Sequence, residues 1–303
     1  MIKGTVVKST GYWYKVQNSE GIIFNCRLRG KFKIQNIKLT NPIASGDKVQ
    51  FKRDDLDSES YIIEKILKRE NYIIRKSNKK KSSGHIIASN VDLALLVCSV
   101  RKPITKYNFI ENFLITSNAY DIPSCLVFNK KDLINKDEEK ELMTAAKQYN
   151  KIGYKTLIIS AKYNNGINEV KKLLDNKTCL FMGNSGVGKS TLINKLCKNS
   201  NQKTSVISKR SKKGKHTTTF SEIFYIDDKT SIIDTPGIKE FELFDIKKEE
   251  LKDYYPEFIS LNKSCKYYNC LHINEPDCEV INNIGKTIWI KRYNNYLSII
   301  ENL

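Results

Sequence analysis

A chain of 303 residues with a formal charge of +19 is long enough for two or three domains, each with its own core, and its basic balance favours a polyanionic partner such as nucleic acid or a membrane surface. No apolar run approaches the length of a membrane span, and the start, Met1-Ile2-Lys3-Gly4-Thr5, lacks the charged-then-apolar layout of a signal peptide. An integral membrane or exported protein is thereby disfavoured; a cytoplasmic chain without a membrane role is expected, its eight cysteines mostly reduced.

Residues 1–70 read as short strands at 2–8, 12–17, 22–28, 48–52 and 61–67, punctuated by Gly11, Gly21, Gly30 and Asn41-Pro42. Five short strands fit a small all-β barrel of the oligonucleotide-binding (OB) kind. Tyr12, Trp13, Tyr14, Phe24 and Phe32 stand among Lys15, Arg27, Arg29, Lys31 and Lys33. Aromatic faces within positive charge suit single-stranded or looped RNA. A barrel with core aromatics and a solvated basic face gives the same pattern, and the segment alone leaves both readings open. The basic, aperiodic stretch 75–83 reads as a linker or mobile loop that would add phosphate contacts beside RNA. His85 after it is assigned no role.

From Val91 the pattern changes to alternating strands (91–100, 124–128, 155–159, 178–182) and helices (107–118, 136–149, 167–174, and one from 191). That alternation argues for a mostly parallel sheet covered on both faces. Cys98, Cys125 and Cys179 fall in the apolar strands and Cys197 in the helix from 191, so these four are expected to be buried core thiols.

Five short motifs carry the chemistry. Gly183-Asn184-Ser185-Gly186-Val187-Gly188-Lys189-Ser190-Thr191 reads G-x4-G-K-S-T between a strand and a helix, the phosphate loop of nucleoside-triphosphate enzymes. Its glycines let backbone N–H groups wrap the phosphates, Lys189 reaches the β- and γ-phosphates, and the Ser190 hydroxyl holds Mg²⁺. Asn129-Lys130-Lys131-Asp132 follows the strand at 124–128; the Asp132 carboxylate can accept two hydrogen bonds from guanine, a donor pair adenine lacks. Ser160-Ala161-Lys162 ends the next strand, where its backbone can meet the guanine O6. After a strongly basic loop at 203–215 come His216-Thr217-Thr218-Thr219 and then Asp234-Thr235-Pro236-Gly237. In this D-x-x-G element Asp234 is expected to hold Mg²⁺ through water and the Gly237 N–H to face the γ-phosphate, with Thr218 completing the metal shell.

The order of these motifs differs from that of ordinary GTPases, in which the phosphate loop comes first and N-K-x-D and S-A-K last. The chain resembles a circular permutation, and it resembles the ribosome small subunit-dependent GTPase A family over nearly its whole length. The resemblance implies an OB-like RNA-binding barrel (1–70), a circularly permuted GTPase domain (71–243) and a C-terminal zinc-binding, mainly α domain (244–303). It also implies GTP hydrolysis in late maturation of the small ribosomal subunit, with GTP or GDP, the subunit and its rRNA as partners and the chain acting as a monomer. Ile238 follows Gly237 where Ras-like enzymes carry a water-orienting glutamine, so intrinsic turnover is expected to be slow, on the order of 10⁻⁴ to 10⁻² per second. His216 is the replacement candidate, which makes His216, Lys189 and Thr218 the catalytic candidates. A nucleotide-gated RNA-binding module with little turnover stays open as the alternative.

Cys265-x4-Cys270-x-His272-x5-Cys278 offers three thiolates and an imidazole within fourteen residues, a closed set for one structural zinc that also matches the family's zinc motif. The surrounding segment reads as polar and poor in core, so metal is expected to supply much of its folding energy. The tail from 282 to 302 has helical spacing through Ile284, Ile288, Tyr293, Leu297 and Ile300. Since D-x-x-G leads directly into this region, nucleotide state is expected to alter how it docks.

Overall fold

The computed structural model describes residues 1–28, 39–55, 57, 59–77, 83–197, 220–238 and 241–303. Its first five strands are β1 (Ile2–Ser9), β2 (Trp13–Gln17), β3 (Ile23–Leu28), β4 (Lys48–Arg53) and β5 (Tyr61–Ile66). They run β1-β2-β3-β5-β4, and β4 pairs back onto β1, so the sheet closes on itself. Alternation along β2 sends Tyr14 and Val16 inward to Val6, Cys26, Val49, Phe51 and Ile63, and Trp13 and Lys15 outward. Closure leaves no strand edge unpaired, as the OB-like expectation requires.

The stretch read as a linker is in part a strand. β6 (Tyr72–Lys76) and β7 (Gly84–Ser89) form an antiparallel hairpin, so Arg75 and Lys76 belong to a ladder, while 78–82 lie outside the described residues. The neighbouring lysines hide an isoleucine pair, Ile73 and Ile74, that is buried. His85 lies on β7 with Nδ1 2.9 Å from the Thr40 hydroxyl.

β8 (Leu93–Ser99) is buried along its whole length: Ala94, Leu96 and Cys98 enter one core, Leu93, Leu95 and Val97 the other. A strand apolar on both faces must lie inside a doubly covered sheet. The order is β10 (Lys155–Ile158), β9 (Ser124–Asn129), β8, β11 (Thr178–Met182), β13 (Ser231–Asp234) and β12 (Glu222–Tyr225). All neighbours are parallel except β12, which runs antiparallel to β13. Helices α1 (Tyr107–Ala119) and α2 (Lys136–Lys151) cover one face; α3 (Ile167–Leu174) and α4 (Lys189–Cys197) cover the other. Asn135 and Glu138 close a capping box at the start of α2, which fixes where that helix begins after the β9 loop. Cys98, Cys125, Cys179 and Cys197 are buried as expected, and so is Cys26 in the barrel.

The C-terminal region holds the helices Pro256–Asn262, Glu279–Asn282 and Ile290–Glu301. It has a better core than its polar sequence suggests. Tyr255, Phe258, Tyr293 and Tyr296 pack with Val280, Ile288 and Ile300, and Ile115 of α1 joins them. Tyrosines supply apolar area while their hydroxyls bond to main chain, Tyr293 to the His272 carbonyl at 2.8 Å and Tyr296 to that of Leu271 at 2.5 Å. Among the described residues no helix is long and apolar enough to cross a membrane.

Candidate functional site

Four parallel strands end on the same side of the sheet: β9 at Asn129, β10 just before Ser160, β11 just before Gly183 and β13 at Asp234. The carboxyl ends of parallel strands are where open α/β sheets bind ligands. The folded chain thus gathers at one edge what the sequence spreads over more than a hundred residues.

Asn129 ties three motifs together. Its Nδ2 donates to the Val187 carbonyl at 3.0 Å, and its Oδ1 accepts from the Ala161 N–H at 2.9 Å. The approach is so close that a Cβ on Gly188 would stand 2.2 Å from Asn129 Nδ2, at a backbone φ of +98°. Lys130, itself in a left-handed conformation, donates from Nζ to the Gly186 carbonyl at 2.6 Å and to the carbonyl of Lys102. Desolvation lowers its pKa, offset by the nearby Asp132 charge. Asp132 Oδ1 accepts from Ser160 Oγ at 2.5 Å, which ties this loop to the one after β10. Lys131 points elsewhere: its Nζ pairs with Glu139 at 2.9 Å, and only its N–H, bonded to Ile159, holds the loop. Lys162 is exposed, with Nζ 4.9 Å from the centre of the Tyr163 ring.

The phosphate loop rises from β11 with Ser185, Gly186 and Ser190 exposed and Val187 buried. Gly183 needs to be glycine: at φ +150° a Cβ would meet the Val97 carbonyl at 2.4 Å. Lys189 is 7% exposed, and its Nζ lies 3.9 Å from Asp234 Oδ1, a carboxylate with no exposure at all. Ser190 and Thr191 follow on the exposed side of the first turn of α4. Gly237 approaches the loop so closely that a Cβ would be 2.8 Å from Ser185 Cα. Beyond it, the Ile238 N–H donates to the Gly183 carbonyl at 3.2 Å and the Ile238 carbonyl accepts from Asn184 Nδ2 at 3.1 Å. The Ile238 side chain turns into the core with Phe109 and Phe241. The basic loop at 203–215 and His216, Thr217, Thr218 and Thr219 lie outside the described residues.

Cys265, Cys270, His272 and Cys278 form a second centre, their ligand atoms all within 4.8 Å of one another. His272 Nδ1 is 3.3 Å from Cys278 Sγ and 3.8 Å from Cys265 Sγ, and the two sulfurs are 3.9 Å apart. A tetrahedral zinc with bonds of about 2.0–2.3 Å sets its ligands roughly 3.5–3.8 Å apart, so the donor set fits that ion. Burial, helped by the charge of Lys252, holds the His272 imidazole down to about 4, so it is neutral and has a lone pair to offer. Burial pushes the Cys270 thiol up to about 12. A bound cation reverses that preference, because a coordinating thiol is deprotonated outright.

Sequence reasoning placed Asn129 in the base-reading group but missed its tie to the phosphate loop, and it missed Lys130 as a strap. It also missed Arg292, which is fully buried between Glu111 of α1 and Glu257 and holds the C-terminal helix against α1. An arginine in an amphipathic tail gives no signal of burial; only its two distant carboxylates explain it.

Comparison with known proteins agrees with this architecture. Residues 66–244 match the family model described as RsgA GTPase, and residues 3–62 the one described as RsgA N-terminal domain. A relative from Christiangramia forsetii named small ribosomal subunit biogenesis GTPase RsgA is 45% identical, covering 99% of this chain and 96% of its own. One of the same name from Flavobacterium psychrophilum is 46% identical, covering 98% and 92%. Among solved structures, YjeQ from Thermotoga maritima superposes with a TM-score of 0.75 at 31% identity, covering 100% of this chain and 98% of that one. YloQ, described as a circularly permuted GTPase, gives 0.71 at 27%, covering 100% and 94%.

Proposed function

This chain belongs to the RsgA GTPase family, and from that premise we propose that it hydrolyses GTP while bound to the small ribosomal subunit and its rRNA, late in the maturation of that subunit. The observation that carries the reading is the pair of hydrogen bonds made by the Asn129 side chain, which ties the base-reading and phosphate-binding loops into one unit. In this reading Asp132, held by Ser160, accepts from the guanine N1–H and amine, and the main chain at Ala161 and Lys162 meets O6. Asn129, Lys130 and Lys131 shape that loop through side chain, strap and backbone. Main-chain N–H groups from Gly183 to Thr191 wrap the phosphates, Lys189 neutralises the β- and γ-oxygens, and the Gly237 N–H faces the γ-phosphate.

The buried Asp234 beside Lys189, with the Ser190 hydroxyl at the head of α4, suits a magnesium ion, and Thr218 is the proposed third group. Magnesium supplies charge neutralisation on the transferring phosphoryl oxygens. His216 is the proposed group that orients the attacking water, because Ile238 is buried in the core and offers nothing to it. Cys265, Cys270, His272 and Cys278 hold one structural zinc in this reading. The working unit is a monomer in the cytoplasm, divided at 1–70, 71–243 and 244–303.

Two measurements test it. Asp132→Asn should cut GTP affinity at least tenfold and raise affinity for xanthosine triphosphate, whose ring presents an acceptor where guanine has a donor. Purified small subunits should raise GTP turnover at least tenfold, and large subunits should not. Unchanged base preference would remove Asp132 from the site. Absence of stimulation would favour the nucleotide-gated binding module.

A further inference from the structure

Three residues on neighbouring strands stand in one line across the sheet: Lys8 of β1, Glu222 of β12 and Asp234 of β13. Lys8 and Glu222 are Cα partners in the β1–β12 pairing, and Glu222 and Asp234 are partners in the β12–β13 ladder. Lys8 Nζ is 3.0 Å from Glu222 Oε2, with the two side chains 28% and 21% exposed. Residues directly opposite in an antiparallel ladder project to the same face with Cβ atoms about 4.5–5.5 Å apart, where like charges repel. Two carboxylates therefore share one face, each faced by its own lysine: Lys189 from the phosphate loop for Asp234, and Lys8 from the barrel for Glu222.

The barrel is fixed to this line. Ser45 Oγ lies 3.0 Å from both the carbonyl and the hydroxyl of Ser221, the residue before Glu222. The loop carrying Ser45 is rigid for a clear reason. Asp47, fully buried, receives Arg69 Nε at 2.6 Å and Ser89 Oγ at 2.6 Å, and a Cβ on Gly46 would be 2.0 Å from the Ser89 carbonyl. Displacement of the barrel must therefore be felt at residues 221 and 222, one strand from Asp234.

We propose that Lys8 and Glu222 are a positioning pair through which the barrel sets the charge and placement around Asp234, so that RNA held by the barrel alters turnover at the nucleotide site. The RNA arm rests on the ribosomal partner given under Proposed function; the electrostatic arm rests only on the placement of Asp234 beside magnesium given there. Lys8→Met leaves the Glu222 carboxylate beside Asp234 without its cation, which makes the site more negative. Glu222→Gln does the opposite and leaves the lysine there.

The test uses the full chain and fluorescent GDP titrated at a series of free Mg²⁺ concentrations, alongside GTP turnover with and without small subunits. Half-saturating Mg²⁺ should fall several-fold in Lys8→Met and rise several-fold in Glu222→Gln. Affinity without Mg²⁺ should stay within about twofold, and Lys8→Arg should restore wild-type behaviour. Subunit stimulation should fall at least threefold in both broken variants, with subunit binding retained. A purely structural pair would lower thermal stability while leaving the Mg²⁺ dependence alone, and that result overturns the proposal. So does loss of stimulation in Lys8→Met only, accompanied by weaker subunit binding, since Lys8 would then be an RNA contact. If wild type itself shows no stimulation, the reading of function fails, and the Mg²⁺ series still decides the pair.

Discussion

Asn129 carries more of the site than its place in a four-residue motif suggests. A side-chain amide can donate and accept at once, and here each end is used on a different loop, Val187 on one side and Ala161 on the other. Asn129→Ala would leave a buried carbonyl and a buried N–H without partners, each costing about 1–3 kcal/mol where water cannot enter. GTP and GDP affinities should both fall by roughly 30-fold or more, with their ratio little changed, because the loss is of loop register and not of any γ-phosphate contact. Titration with labelled nucleotides checks this; a loss confined to GTP would mean that Asn129 senses the third phosphate. Ile238 makes the complementary point. The sequence marks it as a missing glutamine, but in the fold it has a positive role. It pins the segment after Gly237 to the phosphate loop, its N–H donating to the Gly183 carbonyl and its carbonyl accepting from the Asn184 side chain, and it fills the core beside Phe109 and Phe241.

Among the elements, α1 is the one whose role the sequence understates. Its apolar face, Phe109, Ile110, Phe113 and Leu114, packs on the sheet, as helical spacing predicts. Glu111 breaks that pattern. It is fully buried, accepts from the Tyr149 hydroxyl at 2.9 Å and pairs with Arg292, which also pairs with Glu257. Tyr255 lies under the guanidinium at 4.5 Å. Removing only the cation strands two buried carboxylates, so Arg292→Met should destabilise the docked C-terminal helix by about 3–5 kcal/mol. Changing Glu111, Glu257 and Arg292 together to apolar or neutral residues should cost much less. Urea unfolding, with zinc release followed by a chromophoric chelator, separates the two; equal losses would mean that packing, and not charge, holds the helix. Strands and helices of the central sheet were legible because burial on both faces imposes long apolar runs, as in β8, and the phosphate loop because its glycines are sterically required. The β6–β7 hairpin was not legible, because its buried residues come as adjacent pairs, Ile73-Ile74 and Ile86-Ile87, instead of alternating, and a basic run stands between them. The aromatics of the barrel were legible only as a group: Tyr14 is core, whereas Tyr12 and Trp13 are exposed and stand edge to face at 5.8 Å.

At the scale of the molecule, two junctions hang on the central sheet and they differ in kind. The chain runs from the D-x-x-G element straight into the region of the Cys265, Cys270, His272 and Cys278 cluster, which from connectivity alone suggests that nucleotide state moves that region. Packing argues otherwise. Arg292, Glu111 and Glu257 are buried together, Ile115 enters the aromatic core, and Asn118 of α1 donates to the Tyr254 carbonyl at 2.9 Å. Undocking would expose all of these at once, so that junction should open only with local unfolding. The barrel junction is mixed: Val7 of β1 enters the sheet core with Ile223 and Ile233, whereas the partly exposed Lys8–Glu222 bridge and the Ser45–Ser221 contact are polar and lie directly beside the strand of Asp234. A partly exposed ion pair such as Lys8–Glu222 exchanges with water at little cost, and it adjoins the element that is proposed to sense the γ-phosphate. Hydrogen exchange should therefore differ between GDP and a non-hydrolysable GTP analogue along β1, β12 and the loop around Ser45, by several-fold in rate. It should be the same within error in α1 and in Ile290–Glu301. Protection that changes at the C-terminal helix while the barrel junction stays constant would reverse the assignment, and would make the C-terminal region the moving part.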